Sequence, residues 1–142
     1  MTTEDLLARI IAALDTDPAI GAFCAEYYAK ALTVQFGIDE DNPPPSESYP
    51  LAAVILASHA RETGSRRQTW HMVIGLCLRD EATVTLADRE VPAGALRVER
   101  LRELAEAALM APGFGKVETD GSVEREVLHP LYAAATVITF TF

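Results

Sequence analysis

Residues 51–78 read LAAVILASHARETGSRRQTWHMVIGLCL, and this stretch decides the fold. Leu51 to Ser58 is a continuous apolar run bounded by Pro50 and by polar sequence, the pattern of a strand covered on both faces. Thr69 to Leu78 alternates instead. Trp70, Met72, Ile74, Leu76 and Leu78 share one face at period two, and His71, Val73, Gly75 and Cys77 share the other. Between the runs, His59 to Arg67 is polar and contains Gly64, so it reads as a long hairpin loop. The two runs predict a hairpin inside a sheet.

Upstream, Thr2 or Thr3 caps a first helix, with Glu4 and Asp5 in the first turn, where the helix dipole favours acids. Leu6, Leu7, Ile10, Ile11 and Leu14 give it one apolar face. Asp17-Pro18 is a cap followed by proline at the first helical position, so a second short helix runs from Pro18 to about Tyr27. Ala31 to Phe36 reads as a strand and Gly37 opens a loop. Asp39 to Ser48 contains three consecutive prolines, Pro43, Pro44 and Pro45, and is neither helix nor central strand; it reads as an exposed arm.

Downstream, Ala82 to Leu86 suits a short strand. Ala95 to Met110 is an amphipathic helix with Leu101, Leu104, Ala105, Ala108 and Leu109 inward, and Arg97, Arg100, Arg102, Glu103 and Glu106 facing water. Val117–Thr119 and Ser122–Leu128 flank Asp120-Gly121 and read as a polar hairpin. Ala133 to Phe142 is a terminal strand with Thr136, Ile138, Phe140 and Phe142 on one face. Grouped strands flanked by helices predict one α+β domain over residues 1–142. Its sheet is mainly antiparallel with a hairpin core, packed by the N-terminal helix and the second amphipathic helix.

The chain has 142 residues, 49% of them hydrophobic and 23% charged, enough to bury a core without disulfides or metal. The net charge of −9 argues against general binding to duplex DNA or to an anionic membrane. Two cysteines, Cys24 and Cys77, are too few for a disulfide framework. Cys77 reads as a buried free thiol. The N-terminus carries acids early and has no signal-peptide pattern, and no window approaches a membrane span, so a reducing cytosol is expected.

No catalytic, cofactor-binding or metal-ligating set emerges. Gly113-Phe114-Gly115-Lys116 lacks the spacing of a phosphate loop. His59, His71 and His129 form no ligand pair at helical or strand spacing. His71 and Cys77 lie about 20 Å apart along one strand, too far to act as a pair. No acid lies inside an apolar strand, where desolvation raises a pKa. Trp70 reads as core, His71 as a packing residue and His129, before Pro130, as a turn residue. Two loops remain distinctive: the acidic arm with Asp39, Glu40 and Asp41, and the hairpin loop with Arg61, Arg66 and Arg67. They read either as two solvated loops or as a pair of complementary docking surfaces.

Several features together resemble the tail-terminator and neck or tail-completion proteins of long-tailed bacteriophages and prophages. They are Gly37-Ile38-Asp39 with Pro43–Pro45, Tyr49-Pro50-Leu51 before the apolar strand, the Arg61–Arg67 hairpin and the Ala95–Met110 helix. The resemblance is one of layout over nearly the whole chain. It implies a small α+β virion subunit without enzymatic activity or cofactor. Such a subunit assembles with itself into a ring, commonly a hexamer, at the end of the tail tube. It stops tube growth and meets the tail tube protein on one side and the head connector on the other. DNA passes through without specific binding, and the acidic balance suits such passage. The implied location is the virion, reached from the host cytoplasm. Competing classes are a small-molecule-binding or enzymatic α+β domain and a generic assembly adaptor.

Overall fold

The computed structural model describes the chain apart from Glu40, with residues 120–128 described by their backbone alone. Helix α1 spans Thr3–Thr16 and opens with a reciprocal cap, in which Asp5 N–H donates to Thr2 Oγ1 and Thr2 N–H to the Asp5 carboxylate, both at 3.1 Å. Helix α2, Pro18–Tyr28, starts on Asp17, whose carboxylate accepts from Ile20 N–H at 2.9 Å. Strand β1, Thr33–Phe36, precedes the long connection to β2, Leu51–Arg61; then follow β3, Gln68–Arg79, and a hairpin of β4, Thr83–Leu86, and β5, Arg89–Pro92. Helix α3, Ala93–Leu109, and the strands β6, Lys116–Leu128, and β7, Leu131–Thr141, complete an α+β fold.

Five strands form the main sheet in the order β1-β2-β3-β7-β6, antiparallel except that β1 runs parallel to β2. The predicted hairpin lies inside the sheet, and β7 lies there too. The strands of the hairpin run further than expected. His59, Ala60 and Arg61 continue β2, paired with Trp70, Thr69 and Gln68, so only Glu62–Arg67 is loop. The polar side chains of this end are compatible with a strand because its ladder is made by backbone groups.

The predicted hairpin at Asp120-Gly121 is replaced by one strand. β6 stays paired with β7 on both sides of a register break, from Thr119 opposite Ile138 to Val123 opposite Thr136. Three residues of β6 thus stand against one of β7, a bulge rather than a turn. The turn falls at His129-Pro130, between Leu128 and Leu131, around a cis proline bond.

Helices α1, α2 and α3 pack on one face of the sheet. The core joins Leu6, Ile10 and Leu14 of α1, Ile20 and Phe23 of α2 and Leu101, Ala105 and Leu109 of α3 to that face. The sheet supplies Ala52 and Val54, the alternating set from Trp70 to Leu78, and Tyr132, Ala134, Ile138 and Phe140. Trp70 is fully buried and its indole N–H donates to Thr3 Oγ1 at 3.0 Å, tying β3 to the first turn of α1. At the other end, Gly94 lets α3 approach the sheet: a Cβ there would overlap the buried Tyr132 ring.

The other face carries Leu51, Ala53 and Ile55 of β2, His71, Val73, Gly75 and Cys77 of β3, and Ala133, Ala135, Val137 and Thr139 of β7, by the period-two rule and the cross-strand register. Leu51 and Ala53 are fully buried; Ile55, Val73, Cys77 and Val137 are only half-buried. The expectation that Leu51–Ser58 is covered on both faces therefore holds for its first four residues only. Cys77 is half-buried, not buried; Cys24 is the buried free thiol, and burial pushes its pKa up to about 11.

Candidate functional site

A hydrogen-bonded carboxylate lies at one end of the molecule. Asp80 follows β3 and is buried. Its Oδ2 accepts from the Tyr28 hydroxyl at 2.8 Å and from Arg97 Nη1 at 2.9 Å, and its Oδ1 accepts from Ala82 N–H at 2.9 Å. Burial raises the Asp80 pKa, but the hydrogen bonds from Tyr28, Ala82 and Arg97, with the Arg97 charge, overcome it and hold the carboxyl below its ordinary value. Burial, and then the bond to Asp80, pushes the Tyr28 phenol far up. The Arg97 guanidinium also lies 4.2 Å from the centroid of the Tyr27 ring. This cluster joins the end of α2, the end of β3 and the second turn of α3. Both oxygens accept, three bonds in all, so Asp80 clamps three elements together.

Sequence reading places Arg97 in water and gives Asp80 no role; both are corrected here. Arg97 has only 21% of its side chain exposed because the aromatic end of α2 and Asp80 converge on it. Arg102 is also shielded, bridging Glu99 at 3.2 Å and Glu106 at 2.9 Å. Arg100 and Glu103 do face water, joined by a loose pair at 3.5 Å.

Above the clamp, α2 and α3 leave an open groove of about 490 Å³. Phe23 and Leu104 line it with Ala19 and Ala22. Tyr27 and Leu96 stand at its sides, 41% and 44% exposed. Arg100 borders it from α3 and Glu26 from α2. Of its polar groups, Arg97 is bonded to Asp80, while Glu26 and Arg100 come from different helices. Its apolar lining suits an apolar side chain.

The acidic and basic loops do not meet within one chain. The β1 end that precedes Asp39 pairs with Val54, while Arg61 stands at the far end of β2. Asp39 is exposed and holds its own loop, accepting from Asp41 N–H at 3.0 Å and Asn42 Nδ2 at 3.1 Å. These bonds, Asn42 first, hold its carboxyl below the ordinary range. Asp41, Arg61, Arg66 and Arg67 are exposed and make no side-chain ion pair among the described residues; Glu40 lies outside them. Just before Asp39, Phe36 and Ile38 are 59% and 40% exposed, a feature the reading of that arm as merely acidic missed.

The histidines take local roles. His71 Nδ1 is 2.8 Å from Thr139 Oγ1 across two strands, and His129 Nδ1 is 2.7 Å from the Tyr132 hydroxyl at the turn. His59 stacks on Trp70 with ring centroids 4.5 Å apart. Among the described residues no group of three His, Cys, Asp or Glu side chains is placed to hold a metal ion. No helix is long and apolar enough to cross a membrane. No protein-family model matches the chain, and no curated protein matches it.

Proposed function

We propose that the chain is a non-enzymatic structural subunit that assembles with copies of itself into a ring. By the layout it shares with them, we assign it to the tail-terminator or tail-completion proteins of long-tailed phages and prophages. In that role the ring, commonly six subunits, stops growth of the tail tube and receives the head connector in the virion. The observation that carries the reading is the second face of the sheet. Among the described residues of β2, β3 and β7 that the register places on this face from Leu51 to Ile55, from His71 to Cys77 and from Ala133 to Thr139, none is Asp, Glu, Lys or Arg, and Ile55, Val73 and Val137 there are neither buried nor covered by a helix. Such a stretch across three strands suits covering by another protein surface. The arginine loop and the acidic arm, at separate places along β2, supply further contact surfaces. Asp39, Glu40, Asp41, Arg61, Arg66 and Arg67 remain the residues assigned to them.

Native mass decides the reading when taken twice, on the pure chain over a wide concentration range and on the chain supplied with tail tubes. Rings in either case are the expected result. A monomer in both, without retention on tubes, refutes the proposal. In that event the α2–α3 groove makes a small-molecule-binding module the reading to pursue.

A further inference from the structure

We propose that the groove between α2 and α3 receives the segment Phe36–Asp39 of a second copy of this chain. The inference rests on the self-assembly reading and names the surfaces that meet. Two exposed apolar features of the molecule are complementary in shape. The groove is concave, lined by Phe23 and Leu104 and flanked by Tyr27 and Leu96. The segment is an edge: Phe36 ends the outermost strand of the sheet, and Ile38 follows Gly37, whose φ of +75° bends the chain there. An exposed phenylalanine beside a half-used edge strand is a liability unless something covers it.

Charge selects the orientation. Arg100 borders the groove on the α3 side, with 62% of its side chain exposed and only a 3.5 Å contact to Glu103. Asp39 follows the apolar pair directly, keeps exposed carboxylate oxygens, and is followed by Asp41. With Phe36 seated between Tyr27 and Leu96, Asp39 approaches Arg100, while Glu26 on the α2 rim disfavours the reversed placement. The arginine loop offers the acidic arm charge but no seat for Phe36 and Ile38, because Glu62–Arg67 is polar and exposed throughout. The groove therefore takes the arm, and Arg61, Arg66 and Arg67 are left for another component.

The contact joins unlike surfaces, so each copy that donates its arm leaves its own groove open. Such a contact propagates until rotation closes it. Phe36→Ser breaks only the arm and Leu96→Glu only the groove, and both residues are exposed, so both variants fold. In sedimentation, the unaltered chain self-associates. Each variant alone associates about tenfold more weakly or worse, the loss expected for an anchor residue. An equimolar mixture of the two forms a 1:1 pair with the affinity of the unaltered contact and grows no further, since one arm and one groove remain.

Self-association of either variant at the strength of the unaltered chain overturns the contact. So does a mixture no tighter than its parts, and so does an unaltered chain that stays monomeric up to millimolar concentration. Rings that form on tail tubes from both variants overturn the groove contact while leaving the ring reading intact. Absence of any ring from the unaltered chain, alone and on tubes, removes both.

Discussion

Asp80→Asn tests the buried clamp with little change of shape. The amide must present an NH2 either to Tyr28 and Arg97 or, flipped, to Ala82 N–H, so a donor faces a donor in both settings. Losing a hydrogen bond to a charged group costs about 1.5–3 kcal/mol, and a neutral one about 1 kcal/mol. Breaking a fully buried ion pair costs about 3–5 kcal/mol, but Arg97 keeps 21% of its side chain in water, which softens that penalty. The expected loss at pH 7 is therefore about 2–4 kcal/mol. The pH dependence has a definite sign. The folded-state pKa of Asp80 is depressed, so its contribution is present above the unfolded value of about 4 and is lost as pH falls through the folded value. Urea unfolding from pH 7 down to pH 3 should show the unaltered chain weakening in acid more steeply than Asp80→Asn. Adding Arg97→Met to the variant should recover part of the loss by removing the stranded charge. A loss under about 1 kcal/mol with an unchanged acid limb would refute the clamp.

Ile74→Ala should cost about 2–5 kcal/mol in denaturant unfolding, whereas Ile55→Ala, half-buried on the open face, should cost about 1 kcal/mol or less; equal losses would mean that the open face is core. Gly94→Ala gains helix propensity of up to about 1 kcal/mol, but the methyl meets a Tyr132 ring fixed by its 2.7 Å contact to His129, so a net fall in melting temperature is expected and a rise would show that the ring gives way. Arg66→Glu with Arg67→Glu should leave melting temperature nearly unchanged while impairing retention on tail tubes; a large fall in melting temperature would make these arginines structural.

Much of the fold is legible because local chemistry and tertiary structure agree. The alternation from Trp70 to Leu78 names the helix-facing side of β3 residue by residue, and Thr2 with Asp5 and Asp17 with Pro18 mark two helix starts. The misreadings arise where the two disagree. Asp120-Gly121 carries a turn signal, yet pairing with β7 on both sides keeps the chain extended, and the two extra residues leave as a bulge. The parallel sense of β1 depends on how a long connection, holding a short 3-10 turn at Ser46–Ser48, returns to Leu51, which no local pattern records. Asp80 and Arg97 look like any solvated charges, because only tertiary packing brings Tyr28 and Ala82 against one carboxylate. One signal was available: Asp80 directly follows an apolar strand, where a carboxylate is stranded unless donors converge on it.

The two apolar surfaces of the molecule differ in kind, and the difference bears on how an assembly would use them. The groove is bordered by opposite charges on its two helices and, on the proposed reading, receives an exposed edge of a second copy. Such a surface selects a partner and an orientation. The open face of the sheet is built from small residues, Ala53, Gly75, Cys77, Ala133 and Ala135, with larger Ile55, Val73 and Val137 toward one side. Among the described residues of β2, β3 and β7 its middle carries no Asp, Glu, Lys or Arg to fix a register, so that part of the face does not choose among partners by electrostatics. Selection must then come from the rims, where Arg79 and the exposed Lys116 and Glu118 stand around that face. On the proposed reading, the groove sets the repeat between copies, and the open face, aligned by the repeat, is presented many times over to a second component. Weak, unselective contacts then gain strength by multiplicity rather than by the quality of any one of them.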